Sequence, residues 1–119
     1  VADRRKEETK LQRAIIDAIE LQGAYVERIN SGKVKVRGGW MHGLKEGSPD
    51  LRGYIAPTGR AYYLEVKLPG EKPKPEQLAW KATHEKRGAL HAFVTSVPDA
   101  VAVMSGWSFA ERDASRRCG

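Results

Sequence analysis

Cysteine is almost missing from these 119 residues. The one thiol, Cys118, stands next to the C-terminus, so the chain forms no intrachain disulfide and no cysteine-built zinc site. Long apolar runs are missing too. The longest aliphatic stretch is Ala100 to Met104, against the ~20 residues that a bilayer-crossing helix needs. Val1 to Lys10 is nearly all polar and lacks the basic, apolar, small-residue order of a secretory signal, so an intracellular protein is expected. The three histidines, His42, His84 and His91, have no metal-ligand spacing, and Ser31, Ser48 and Ser96 lack the His and Asp arrangement that marks a nucleophile. No glycine cluster follows a strand and opens a helix, which excludes the usual dinucleotide fingerprint.

What is present suits one folded unit. With 40% hydrophobic and 30% charged residues the chain can bury a core, and a single domain over 1–119 is expected, with its core at about 6–104 and a C-terminal tail at 105–119. Lys and Arg total 21 and Asp and Glu 15, a net charge of +6 that suits a polyanionic partner. Basic clusters fall at Arg4-Arg5-Lys6, at Lys33, Lys35 and Arg37, at Lys67, Lys72 and Lys74, and at Arg112, Arg116 and Arg117. Lys33, Lys35, Arg37, Lys72 and Lys74 are the candidate nucleic-acid contacts, set against the plainer reading of a solvated basic surface.

Hydrophobic periodicity orders the chain. Leu11, Ala14, Ile15, Ala18 and Ile19 recur at helical spacing between Lys6 and Leu21, and Gly23 ends that helix. Ala24–Ile29 and Lys33–Arg37 read as two strands of a hairpin turning at Asn30-Ser31-Gly32. Gly38–Pro49 holds four glycines and no period, which reads as an irregular loop, with Trp40 as a candidate base-stacking residue. Leu51–Ala56 and Arg60–Lys67 flank Pro57-Thr58-Gly59, a second hairpin. A helix starting near Pro75, with a stripe of Leu78, Ala82 and Trp80, runs to Gly88. Ala89–Thr95 is a strand, Ser96 caps a short helix over Val97–Met104, and the aperiodic tail from Ser105 reads as partly disordered. The order of elements gives an α/β domain with a mixed sheet.

Asp50 stands at the mouth of the second hairpin, while Glu65 and Lys67 lie two residues apart on its return strand and therefore on one face. Folding the hairpin back brings Asp50 and Glu65 to metal-sharing distance. Carboxylate oxygens suit Mg²⁺ or Mn²⁺, and a neighbouring ammonium suits the charge that develops on a phosphate. Alone, E-x-K on a strand is more often a surface ion pair. Here it stands with Gly47-Ser48-Pro49-Asp50, a turn, and the opposite apolar face of Tyr62, Leu64 and Val66.

Pro49-Asp50 with Glu65-Val66-Lys67 resembles the signature of the PD-(D/E)xK nuclease superfamily. Together with Glu8 and Gln12 in the first helix, Asn30-Ser31-Gly32, and Gln77 in the later helix, the set is similar to VRR-NUC domains of the stand-alone, phage type. The likeness runs from about Lys6 to Met104. It implies a restriction-endonuclease-like core and a divalent-metal-dependent DNA endonuclease. In that reading Asp50, Glu65, the Val66 carbonyl and Glu8 bind Mg²⁺ or Mn²⁺, Lys67 is catalytic, and Gln77 supports the site. Glu7 is the alternative to Glu8, which lies four residues before Gln12 and so on its side of the helix. The likeness further implies branched DNA as substrate, a Holliday-junction-resolvase-like homodimer, and the cytoplasm of a bacterial or phage-infected cell. The rival reading is a non-catalytic nucleic-acid-binding module.

Overall fold

Helix α1, Ala2–Leu21, buries one side of its apolar stripe: Ile15 and Ile19 have no solvent exposure, and Leu11 and Ile16 pack beside them. Gly23, at φ +82°, ends the helix in the left-handed region that favours glycine. This computed structural model describes the backbone at residues 2–29, 33–42 and 47–118, and the side chains there except at 2, 33–36, 39–42 and 118.

The strands that follow are β1 (Glu27–Arg28), β2 (Lys33–Val36), β3 (Gly39–His42), β4 (Leu51–Ile55) and β5 (Arg60–Val66). Then come α2 (Pro75–Lys86), β6 (Leu90–Val94) and α3 (Val97–Cys118). The main sheet runs β1-β4-β5-β6, antiparallel except for β6, which lies parallel to β5. A parallel neighbour needs a crossover, and α2 supplies it.

One face of the sheet carries Leu51, Ile55, Tyr62, Leu64, Val66 and Val94, which close against Ile15 and Ile19 of α1 and Ala100 and Met104 of α3. Each fully buried aliphatic side chain contributes about 1.5–3 kcal/mol. Period-2 alternation sends Tyr63, Glu65 and Lys67 to the other face. No helix among the described residues is long and apolar enough to cross a membrane.

Four expectations change. The first hairpin does not form: β1 pairs with β4, through Glu27↔Arg52 and Arg28↔Leu51, while β2 pairs with β3. Tertiary contacts hold β1 there. The Tyr62 hydroxyl donates to the Tyr25 carbonyl at 2.6 Å, Arg52 Nε meets Glu27 Oε1 at 2.5 Å, and the Tyr25 and Tyr54 rings stack at 5.0 Å. Gly53 makes room for this contact, since a Cβ there would lie 2.2 Å from the Tyr25 carbonyl oxygen.

The glycine-rich stretch is not wholly irregular, because Gly38, at φ +93°, closes a two-residue turn between β2 and β3. The turn expected at Asn30-Ser31-Gly32 and the loop residues 43–46 lie outside the described residues.

In α2 the expected stripe of Leu78 and Ala82 faces solvent, with Leu78 49% exposed. Gln77, Trp80, Lys81 and His84 form the packed side instead, because α2 sits on the polar and aromatic face of the sheet. Trp80 meets Tyr63 edge-on at 4.6 Å and stacks on His84 at 3.5 Å, and Lys81 Nζ donates to the His91 carbonyl at 3.0 Å.

Finally, α3 does not stop at Met104. Ser96 caps it as expected, its Oγ accepting from the Asp99 amide at 3.1 Å, but the helix continues through the supposed tail. Ala100, Met104, Trp107 and Glu111 hold one face, where Glu111 is 6% exposed and takes hydrogen bonds from Thr58 Oγ1 at 2.7 Å and Arg60 NH1 at 3.4 Å.

Candidate active site

The hairpin of β4 and β5 builds the site. Leu51 partners Leu64, so Asp50 and Glu65 meet at the next step of the ladder. The Val66 amide donates to Asp50 Oδ2 at 2.8 Å, which fixes the aspartate across the strand pair. The Asp50 carbonyl accepts from Ile29 at 2.7 Å, which attaches the segment after β1 to the same point.

Glu65 is 4% exposed and Lys67 7%. Lys67 Nζ lies 3.9 Å from Glu65 Oε1, and the Lys67 amide donates to the Val94 carbonyl at 2.9 Å, so backbone pairing with the β6 strand continues past the end of β5. Gln77 Nε2 donates to the same Glu65 oxygen at 2.8 Å, while Gln77 Oε1 accepts from the Lys74 amide at 2.9 Å. Both ends of that amide are thus committed, which orients it. Glu65 Oε2 is buried and has no hydrogen-bond partner among the described residues.

Gly47 explains how α2 reaches this cluster. Its φ is +85°, and a Cβ at this position would lie 2.1 Å from the Glu76 carbonyl oxygen in the first turn of α2. Backbone therefore packs on backbone one residue from Gln77. Gly47→Ala is expected to cost about 2–4 kcal/mol of stability and to displace Gln77 from Glu65. Thermal unfolding of the variant checks this, and an unchanged Tm would contradict the packing argument.

Burial raises the pKa of Asp50 above the usual carboxylate range. The Val66 hydrogen bond, Lys67 and Arg28 oppose that rise, and the negative charge of Glu8 adds to it. Glu65 is raised as well, first by burial and then by Asp50 and Glu8, with Lys67 opposing. Of the two adjacent acids, Glu8 is part-buried and acts on both carboxylates, whereas Glu7 is exposed. Arg4 of α1 pairs with Glu71 at 3.0 Å, tying the start of that helix to the loop between β5 and α2.

Asp50, Glu65, Val66, Lys67 and Gln77 are therefore gathered at one place, with Glu8 close enough to act on the acids through its charge. Among the described residues no group of three His, Cys, Asp or Glu is arranged to hold a metal. The oxygen donors still fit a hard divalent cation: the buried Glu65 and the part-buried Asp50 sit at opposing positions of the hairpin, and among the described residues Glu65 Oε2 has no hydrogen-bond partner.

The basic candidates are more scattered. Lys72 and Lys74 are exposed on the loop before α2, and Arg37 is exposed in the turn after β2, while the side chains of Lys33, Lys35 and Trp40 lie outside the described residues. The sequence reading missed Arg28, whose charge acts on Asp50. Nothing in the local pattern marks it, since its nearness comes from β1 pairing with β4.

A mixed four-stranded sheet flanked by three helices, with this acidic hairpin at its polar face, is an α/β restriction-endonuclease-like fold. The chain is similar to a solved structure described as a VRR_NUC domain, at 27% identity and a TM-score of 0.60, covering 82% of this chain and 94% of that one. It has the same fold as another, a VRR_NUC domain protein, at 20% identity and a TM-score of 0.55, covering 82% and 84%. No protein-family profile and no curated protein matches the chain. Together these findings support a VRR-NUC domain, a domain of a nuclease family.

Proposed function

We propose that this chain is a divalent-metal-dependent DNA endonuclease that hydrolyses phosphodiester bonds, with Asp50, Glu65, the Val66 carbonyl and Glu8 as the metal-binding groups and Lys67 as the catalytic residue. The observation that carries the proposal is the buried Glu65 paired with the part-buried Asp50, with Lys67 beside them and Glu65 Oε2 without a hydrogen-bond partner among the described residues. Such a pair of like charges, largely withdrawn from water, is costly to keep unless a cation enters.

Mg²⁺ or Mn²⁺ bound there would supply Lewis-acid neutralisation of phosphate and make a water more acidic. The chain's own residues do the rest. Asp50 is pinned by the Val66 amide, so its second oxygen is the one free to ligate. Gln77 holds Glu65 in one orientation. Lys67 presents its ammonium where negative charge grows on the scissile phosphate. Lys33, Lys35, Arg37, Lys72 and Lys74 contact the DNA backbone and position the strand.

The preferred substrate in this reading is branched DNA, cut by a homodimer in the manner of a Holliday-junction resolvase. Two copies related by a twofold axis offer two sites to two strands, and a branched junction presents two backbones related in the same way. The test is a cleavage assay on four-way junctions, flaps, single strands and linear duplex with Mg²⁺ or Mn²⁺, at matched salt, with an EDTA control. Metal-dependent paired incisions in the junction are expected, with a dimer in analytical ultracentrifugation. Uncoupled nicks by a monomer without junction preference would end the resolvase reading and leave the nuclease, whereas binding without cleavage in either metal would end the nuclease.

A further inference from the structure

Between α1 and β1 the surface opens into a pocket of about 170 Å³ lined by Thr9, Gln12, Arg13, Ile16 and Arg28. Two neighbours place it beside the acidic pair. Thr9 and Gln12 follow Glu8 on α1, and Arg28 partners Leu51, the residue after Asp50. The Arg28 charge is near enough to favour the ionised Asp50 carboxylate.

Among the described residues neither Arg13 nor Arg28 is held by a salt bridge or a side-chain hydrogen bond, although the Arg28 charge acts on Asp50. Both are exposed, and two guanidinium groups lining one recess with Thr9 and Gln12 suit an anion. Gln12, 7% exposed, also lines the pocket, and its amide carries two N–H donors of the kind a phosphate oxygen accepts from.

Two planar forks of N–H donors, an amide donor and a hydroxyl match the oxygens of a phosphate group, the ligand class for which arginine geometry is best suited. A carboxylate offers fewer acceptors and has no reason to lie beside Asp50 and Glu65. A nucleic-acid strand, by contrast, brings one phosphate after another along its backbone.

We propose that the pocket between α1 and β1 binds the internal backbone phosphate next to the one held at Asp50 and Glu65, with Arg13, Arg28 and the Gln12 amide as its donors. The proposal rests on the nuclease reading and adds to it a positioning subsite for the strand. Its effect falls on substrate binding: the pocket fixes the register of the strand and leaves the chemistry to Lys67.

The test is made without metal, so that it is independent of cleavage. A short labelled DNA duplex is titrated in EDTA with the wild type, Arg13→Gln, Arg28→Gln and the double variant. Each exchange is of an exposed residue, and unchanged circular dichroism confirms folding. Each single variant is expected to lose about tenfold in affinity, and the slope of affinity against salt to fall by about one unit in the double variant. Methylphosphonate, which removes the charge of one linkage, is then moved along the strand. At one internal position it costs the wild type about tenfold and costs the double variant nothing more.

Wild-type affinity in the double variant would overturn the proposal. So would a loss shared evenly by all linkages, the mark of a diffuse charge effect, or a dependence on a terminal 5′-phosphate in place of an internal linkage. Failure of the nuclease reading shows separately, as absence of metal-dependent cleavage by the wild type whatever the binding data give.

Discussion

Exchange of Lys67 for methionine is expected to lower the rate of DNA cleavage by about 10²–10⁴-fold while DNA affinity stays within about threefold. Lys67 is almost fully buried, so one ammonium among the many cations of this surface adds little to binding. Its position beside Glu65 matters when charge builds on the phosphate, and an interaction made only then is lost from kcat and not from KM. Methionine keeps most of the volume of the side chain and removes the charge, which separates electrostatics from packing. Lys67→Ala makes the same point with a cavity added. Single-turnover cleavage by Lys67→Met at the wild-type rate would remove this residue from the chemistry.

Glu65→Gln is expected to destroy activity and at the same time to raise the stability of the metal-free protein. Burial and the neighbouring acids hold the Glu65 pKa above its unfolded value, so the folded state resists losing the proton. The sign follows from linkage. Below the unfolded pKa, near 4.3, both states are protonated and the residue costs nothing. As pH rises through the raised folded value the unfolded state ionises first, and the cost reaches its full size above that value. Glutamine removes the cost and still accepts from Gln77 through its carbonyl oxygen.

In EDTA at about pH 8 the gain should be on the order of 1–3 kcal/mol, or roughly 4–10 °C in Tm, shrinking toward about pH 5. Added Mn²⁺ should stabilise the wild type and do little for the variant. A variant less stable than the wild type at both pH values, or one that responds fully to Mn²⁺, would contradict the picture of a cation-requiring pair.

The elements that build the site were the legible ones. Alternation in Tyr62–Val66, the turn at Pro57-Thr58-Gly59 and the Pro75 helix start are local signals, and they place Asp50, Glu65, Lys67 and Gln77 on the elements that carry them. What escaped was non-local. β1 joins β4 because of Tyr62, Tyr25 and the Glu27–Arg52 pair, contacts between residues up to 37 apart in sequence. The length of α3 was hidden by Glu111, a buried acid where the apolar stripe should continue, explained only by Thr58 and Arg60 arriving from the hairpin. The packed side of α2 was misread for a similar reason, since Trp80 and His84 dock on Tyr63 and not on the aliphatic core.

Strand β5 and the lysine after it leave evolution little freedom. Tyr62, Leu64 and Val66 are interior, the Val66 amide is given to Asp50, Tyr63 supports Trp80, and Glu65 and Lys67 face the acidic pair's own side. Every position from 62 to 67 answers either to the interior or to the site, and neither set can drift into the other without a one-residue slip that inverts both. Tolerance to substitution should therefore reach its minimum along this one strand, and variation that retunes the protein toward other substrates has to enter from the elements around it.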